Sequence, residues 1–155
     1  MAEQDNLSQP LRQAAGGKPV DRRRAARVLA MQFLHALTVQ GGANLEKVEA
    51  LMGVYCEDEA TRGLAIGWVR DAWARLGEIE GLIRETATHW DLSRISQVDR
   101  SILHLGVYQL LHCEEMPAKV VINEAIELAK TFSTAQSPGF VNGVLDAIHK
   151  KQQNE

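Results

Sequence analysis

Apolar residues recur at intervals of three and four positions along most of the chain, which is the spacing of amphipathic helices. One such stripe runs from Ala26 to Leu37, and another runs from Ile122 to Phe132. No stretch alternates convincingly between apolar and polar residues with a period of two, as a half-buried strand would. The pattern therefore predicts an all-α fold.

Capping and helix-breaking residues predict where the helices of the first half begin and end. Asp21 is a candidate N-cap for a helix that starts at Arg22, and Gly41-Gly42 would end that helix. A short helix is expected near residues 45–52. A longer helix is expected over residues 57–76, broken by Gly77, and the next apolar stripe continues up to Trp90.

The second half begins with the most apolar segment, residues 96–112, whose apolar positions cover nearly the whole helix circumference. Such a helix is typical of a buried, central position. Gly106 inside it costs ~1 kcal/mol relative to Ala, which a close contact between helices would justify. Pro117 is expected near the start of the following helix, and Ser137 is expected to cap the last one, with Pro138 at its first position.

The length of 155 residues is that of one domain with a substantial core. Residues 1–20 are polar and contain prolines and glycines, so we interpret them as a flexible tail. Residues 21–150 form the predicted helical domain, and residues 151–155 form a short polar tail. No internal repeat or long interior linker divides the chain.

Charge is unevenly distributed along the chain, whose formal net charge is −3. Residues 1–27 contain six basic and three acidic residues, whereas the remainder contains eleven basic and seventeen acidic residues. The segment DRRRAAR places Arg22, Arg23, Arg24 and Arg27 at the predicted start of a helix, where cations are disfavoured by ~0.3–1 kcal/mol each. An anion site for RNA or DNA phosphate explains this cluster better than the alternative, a solvated face that Asp21 partly compensates.

The sequence lacks the motifs of the common enzyme and metal-site classes. The two cysteines have no CxxC spacing, and the five histidines include no pair at the i, i+4 spacing of a helical metal site. No GxSxG, P-loop or GxGxxG motif occurs. We therefore expect a binding protein without a metal or cofactor. Because no apolar run approaches the ~18 residues of a membrane span and no signal peptide is recognisable, we also expect a cytoplasmic protein with no membrane partner.

Three residues in the last two predicted helices are unusual for a purely structural role. Asn123 and Asn142 lie inside the helices although Asn is a poor helix former, so we predict that their amides hydrogen-bond to a neighbouring helix or loop. Phe140 lies three positions after Ser137. Its ring could pack in the core or, if exposed, stack on a nucleic-acid base, and the residues alone leave both alternatives open.

The segment PAKVVINEAIELAKTFSTAQSPGFVNGVLDAI resembles the C-terminal signature of the NusB family of bacterial transcription antitermination factors. The segments DRSILHLGVYQLL and RRRAARVLAMQFLHAL resemble the same family, so the similarity runs in order from about Arg22 to Ile148. Residues 41–95 match mostly by helix pattern. The resemblance implies a single all-α domain of about seven helices in two packed helical bundles.

The resemblance also implies a function without catalysis. It implies a complex with NusE, a protein of the small ribosomal subunit that doubles as an antitermination factor. It also implies binding of boxA, a short single-stranded RNA element in the leader of ribosomal RNA transcripts. Within that assembly, RNA polymerase becomes resistant to termination. The RNA-binding positions that it implies are Arg22, Arg23, Arg24, Arg27, Gln32, His35 and Phe140.

The resemblance implies that Asp99 contacts NusE and that Asn123 and Asn142 tie helices together. His35 stands where relatives often carry Tyr, and Gln136 stands where better-known members carry an acid. Three alternatives remain at this level: a helical protein-interaction module, a homodimer whose interface covers the arginines, and a domain of a ribosomal RNA methyltransferase. The last would need a second, catalytic domain.

Overall fold

A computed structural model describes residues 19–40 and 45–155, with side chains described from residue 22 onward. These residues contain seven α-helices, one short 3-10 turn at Leu92–Arg94 and no strand. The predicted all-α class is therefore confirmed for this part of the chain. The helices are α1 Pro19–Val39, α2 Leu45–Tyr55, α3 Glu59–Ala74, α4 Leu76–Thr86, α5 Gln97–His112, α6 Ala118–Phe132 and α7 Ser137–Gln153.

The chain divides into two compact units, Met1–Arg70 and Asp71–Glu155, with the boundary inside α3. Two helical units agree with the two bundles that the family resemblance implies. In the first unit α1 packs against α2. Its fully buried side chains include Leu29, Leu34 and Met52, so burial of the predicted apolar stripe holds these helices together.

In the second unit α5 is the central helix and contacts α4, α6 and α7. Its residues from Ser101 to Gln109 are all buried, as the apolar circumference predicts. Gly106 lies against Leu145 of α7, and a Cβ added at Gly106 would be only 2.9 Å from Leu145 Cδ1. The predicted close contact between helices is therefore confirmed.

Three predicted helix boundaries differ from the structure. Helix α1 already includes Pro19, so Asp21 lies within the helix and is not its N-cap. Gly77 is the second residue of α4 and not a break; the chain turns at Arg75 instead. Gln136, not Ser137, occupies the N-cap position of α7. Proline is well suited to the first turn of a helix, because its fixed φ angle is helical and its missing N–H would be unpaired there.

Two predictions concern residues outside the described part of the chain. The flexible tail of residues 1–20 lies there except for Pro19 and Val20, which belong to α1, and so does the predicted stop at Gly41-Gly42. Within the described ranges, no helix is both long enough and apolar enough to cross a membrane.

Candidate RNA interface

The arginines of α1 lie beyond the first turn of their helix. Since α1 includes Pro19, Arg22 is at least three positions into the helix and Arg27 is at least eight. The helix dipole acts mainly within the first turn, so it adds little at these positions. Any attraction of an anion here comes mainly from the guanidinium groups themselves, which corrects the prediction that a helix N-terminus contributes.

Arg23 and Arg24 are the exposed members of the cluster. Arg22 is half-buried, and its Nε lies 3.7 Å from Asp58 Oδ2. The same carboxylate accepts hydrogen bonds from the Thr61 backbone N–H at 3.0 Å and from Thr61 Oγ1 at 2.6 Å. These two bonds lower the pKa of Asp58, with a smaller contribution from the Arg22 charge. Asp58 thus caps α3 and holds Arg22 beside the start of that helix.

Arg27 is not a surface residue. Only 4% of it is exposed, and its guanidinium carbon lies 5.7 Å from the centre of the Trp68 ring. A cation over an aromatic face is stabilised by the negative charge density of the ring. The structure therefore gives Arg27 a role in packing, and its place among the phosphate-binding arginines stays a prediction that this burial does not favour.

Gln32 and His35 are half-buried and lie on neighbouring positions of α1, one turn apart. Gln32 Nε2 and His35 Nδ1 are each buried, and neither has a hydrogen-bond partner among the residues that the structure describes. An unpaired buried polar atom costs ~1–3 kcal/mol, so both atoms favour a further polar partner. Their predicted contact with RNA stays a prediction, and this geometry is compatible with it.

Phe140 lies at the start of α7, where its half-buried ring meets Trp90. The two ring centres are 5.5 Å apart, and the ring planes form an angle of 72°. Both side chains line a groove of about 710 Å³ between residues 90–99 and 134–140. The sequence left open whether this ring packs in the core or is exposed for stacking. The structure shows an intermediate case, because the ring is partly packed and partly accessible from the groove.

Asp99 also lines this groove but is already bonded within the protein. It is buried, and its two carboxylate oxygens accept hydrogen bonds from Ser133 Oγ at 2.5 Å and from Ser137 Oγ at 2.9 Å. Its backbone N–H donates to the N-cap residue of α5, Ser96, at 3.0 Å. Asp99 thus fixes α5 to the loop before α7. Its predicted contact with NusE is a prediction that this burial does not favour.

Asn123 and Asn142 are exposed, on α6 and α7 respectively. No hydrogen bond joins either amide to a neighbouring helix within the described residues. The prediction that they tie helices together is therefore wrong. The connection between these segments comes instead from Ser133 and Ser137, whose hydroxyl groups are 2.9 Å apart and share Asp99.

Residues 19–40 and 45–155 contain no group of three or more His, Cys, Asp or Glu side chains arranged to hold a metal ion. Two surface features instead carry groups that suit a nucleic acid, namely the exposed arginines of α1 and the groove that Phe140 lines. Guanidinium groups bind phosphate, and aromatic rings stack on bases. Both features match the chemistry of a single-stranded nucleic acid.

Comparison with known proteins decides the family. A sequence profile described as the NusB family matches residues 24–150. The chain belongs to the NusB family. The transcription antitermination protein NusB of Bacillus cereus strain B4264 is 43% identical over 131 residues, which cover 82% of this chain and 96% of that protein.

Solved NusB structures share the fold. The T. maritima NusB structure has a TM-score of 0.73 and 33% sequence identity, covering 83% of this chain and 91% of that one. A chain from the crystal structure of antitermination factors NusB and NusE in complex with dsRNA has a TM-score of 0.73 and 27% identity. That alignment covers 84% of this chain and 97% of the other. The recognition of a NusB-like fold from the sequence is thus confirmed.

Sequence reasoning missed two residues of the groove in this NusB chain. Trp90 was assigned to the end of a helix, but it lies beyond α4 and is 39% exposed. Arg94, in the 3-10 turn, also lines the groove. A signal was available in WDLSR, which carries a large aromatic residue at the very end of an apolar stripe and a basic residue four positions later. Pairing with Phe140 could not be foreseen, because 50 positions separate the two residues.

Proposed function

We propose that this protein is a transcription antitermination factor that binds single-stranded RNA together with NusE. The RNA would be the boxA element of ribosomal RNA transcripts, and the complex would help RNA polymerase resist termination. The protein acts by binding and does not catalyse a reaction. The observation that carries the proposal is the pair of exposed arginines, Arg23 and Arg24, on helix α1 of a chain that belongs to the NusB family.

Electrostatics support a confined RNA site on this protein. The formal net charge of −3 opposes general binding to nucleic acid, so attraction must come from a local basic cluster. Arg23 and Arg24 provide such a cluster in the first unit. In the second unit, Phe140 separately provides a ring for base stacking. Phosphate contacts would give affinity, while contacts to bases would give the preference for one RNA sequence.

Support for NusE as the partner comes from a structural relative and from charge. The neighbour with 27% identity was solved as NusB and NusE in complex with dsRNA. Residues 28–155 of the present chain carry eleven basic and seventeen acidic residues. An acidic surface of this kind would attract a basic ribosomal protein and speed its association.

The arginine site is tested by the salt dependence of RNA binding. A labelled boxA-like RNA is titrated with the wild type, Arg23→Gln and Arg24→Gln at several salt concentrations, with NusE present. Each lost phosphate contact should flatten the slope of log K against log salt by ~0.7. The matched control is Lys47→Gln, an exposed position on α2, which should keep the wild-type slope. Unchanged slopes for both arginine variants would remove these residues from the RNA site.

A second candidate function is protein binding without RNA selectivity, including homodimerisation. Exposed apolar residues on α2 favour it, namely Leu51, Val54 and Tyr55. Apolar residues grouped on a surface often mark a protein interface. Sedimentation of the purified protein at several concentrations separates the two. A stable homodimer that loses RNA affinity as it forms would favour the second candidate.

A further inference from the structure

The groove beside Phe140 has a second wall that the arginine cluster and the family resemblance leave unexplained. Residues 134–140 form one side, and Trp90, Arg94 and their neighbours form the other. Its volume of about 710 Å³ lies in the range of small-ligand sites, ~300–1,000 Å³. A ligand bound against Phe140 would therefore also lie within reach of the residues on the second wall.

Trp90 is held in a defined position although much of it is exposed. A Cβ added at Gly143 would lie 3.2 Å from Trp90 Cη2 and Cζ2, so the indole rests against the glycine backbone of α7. Phe140 meets the same indole edge to face at 5.5 Å. With 39% of the residue still accessible, Trp90 presents a fixed aromatic surface to the solvent. Because the ring is already fixed, less conformational entropy of the side chain is lost when a ligand binds to it.

Arg94 provides a cation on the same wall. Its side chain is 87% exposed, and its only ion pair within the described residues joins Nε to Asp91 Oδ2 at 3.3 Å. An exposed ion pair of this kind contributes ~0–1 kcal/mol, so Arg94 can exchange it for a ligand. A guanidinium group binds phosphate and also stacks on flat rings.

The remaining polar groups of the groove show which ligands fit. Asp99 is saturated by Ser133 and Ser137, so it offers little to a cationic ligand. Gln136 is exposed, and its amide can both donate and accept hydrogen bonds, as the edge of a base requires. Two aromatic rings, a guanidinium and an amide together match a nucleotide, whose base can stack and hydrogen-bond while its phosphate pairs with the guanidinium.

We infer that the groove receives one unpaired base of the bound RNA, and that Trp90 and Arg94 contact that nucleotide together with Phe140. The inference rests on the proposed RNA-binding function and adds a base site on residues 90–94 to the arginine site on α1. Trp90 supplies the stacking surface, and Arg94 binds the adjoining phosphate or the face of the base.

The test combines protein variants with RNAs that lack one base. Trp90→Leu keeps an apolar side chain beside Gly143 but removes the flat ring. Its affinity for a boxA-like single-stranded RNA is measured in parallel with a series of RNAs in which each nucleotide in turn is abasic. Trp90→Leu should weaken binding of the intact RNA by about 5- to 150-fold. For the wild type, removing the base that occupies the groove should lower RNA affinity by a similar factor. For Trp90→Leu, the same abasic RNA should bind almost as tightly as the intact RNA does.

Three further variants distinguish a lost base contact from a loss of structure. Arg94→Gln should weaken RNA binding and keep the thermal midpoint, whereas Arg84→Gln, an exposed arginine on α4 of the same unit, should change neither. Gly143→Ala keeps Trp90 but displaces its ring. It should therefore lower RNA affinity, and it should reduce the effect of the same abasic position that Trp90→Leu makes ineffective.

Three outcomes would overturn the inference. In the first, each abasic position lowers RNA affinity by the same factor in Trp90→Leu as in the wild type. In the second, Trp90→Leu and Arg94→Gln both bind RNA like the wild type while Arg24→Gln does not, so that the proposed function survives without this base site. In the third, both groove variants impair only the binding of NusE, which would assign the groove to the protein partner. Failure of the wild type to bind RNA would overturn the proposed function itself.

Discussion

Arg23 and Arg27 lie one helical turn apart on α1, but their surroundings differ. Arg23 is exposed, whereas Arg27 is 4% exposed and lies over the ring of Trp68. We expect Arg27→Gln to lower the free energy of unfolding by about 1–2 kcal/mol, because a partly desolvated cation–π contact is lost. Arg23→Gln should stay within about 0.5 kcal/mol of the wild type. Urea denaturation measures both, and equal stabilities of the two variants would contradict the packing role of Arg27.

Ser137 is the residue on which the connection between α5 and α7 depends most. Its hydroxyl group donates to Asp99 Oδ2, and it also contacts Thr134 and Ser133. Ser137→Ala leaves a buried carboxylate oxygen without its donor, so we expect a loss of about 1–3 kcal/mol in the free energy of unfolding.

Ser93→Ala is the control for that substitution, since Ser93 is exposed and also donates its hydroxyl group to an aspartate, Asp91. It should change stability by less than about 0.5 kcal/mol. If denaturation midpoints of Ser137→Ala and Ser93→Ala coincide, the network around Asp99 does not stabilise the second unit.

The roles of individual side chains were harder to predict from the sequence than any other feature of the site. The run RRRAAR identified a basic cluster, but only the fold shows that Arg27 is buried under Trp68. Asn123 and Asn142 were expected between helices and are exposed, because the polar links there are made by short serine side chains instead. Such assignments depend on which side of a helix meets its neighbour, and that depends on residues far away in the chain.

At the scale of whole elements, the contact between α5 and α7 depends on the absence of a side chain at Gly106. An alanine there would bring its Cβ to 2.9 Å from Leu145 Cδ1 and 3.1 Å from Cδ2, and Leu145 is itself fully buried. Overpacking costs about 1–3 kcal/mol, whereas the higher helix propensity of alanine returns about 1 kcal/mol. We expect Gly106→Ala to destabilise the protein by up to about 2 kcal/mol in thermal or urea unfolding.

Gly81→Ala on α4 is the matched control, since nothing lies within 4 Å of an added Cβ at that position. Here the propensity gain should act alone and raise stability by up to about 1 kcal/mol. Opposite signs for the two substitutions are the expected result. A stabilising effect at both positions would show that Leu145 moves freely and that the helices are not in close contact.

The pair His104–Glu80 joins α5 to α4, with His104 Nε2 2.6 Å from Glu80 Oε1. The hydrogen bond with His104 lowers the pKa of Glu80 below its ordinary value, although burial opposes the shift. A carboxyl group with a lowered pKa in the folded state stabilises the fold above its unfolded pKa, about 4.3. That stability is lost as the pH falls through the lower, folded value.

We therefore expect the urea midpoint to fall as the pH decreases from about 5 to 3, and to fall less steeply in Glu80→Gln. Glu114→Gln, at an exposed position after α5, is the control for the loss of one acidic group. Identical pH profiles for the wild type and Glu80→Gln would show that this pair does not link α4 to α5 energetically.

Helices with strong periodicity could be predicted well, whereas several helix ends could not. The buried helix α5 was expected over residues 96–112 and spans Gln97–His112, because its apolar character and Ser96 cap are local properties. The start of α4 was misplaced at a glycine, since Gly77 is tolerated inside the helix and the turn occurs at Arg75. Ends of this kind depend on where neighbouring helices allow the chain to turn.

Considered as a whole, this protein is acidic but carries a few exposed cations where we propose that RNA binds. The net charge of −3 should make binding of arbitrary RNA sequences weak, because only a few cations are available to contact phosphates. Selectivity must then arise from base contacts and from the partner protein. The account therefore predicts that NusE changes both affinity and sequence preference.

Selective binding of boxA-like RNA together with NusE can be measured in one titration. Labelled single-stranded boxA-like RNA and a scrambled RNA of the same composition are titrated with the purified protein, with and without NusE, at two salt concentrations. The account predicts tighter binding of the boxA-like RNA when NusE is present, with a clear preference over the scrambled RNA at both salt concentrations. Equal binding of the two RNAs in the presence of NusE, or no effect of NusE on either, would contradict it.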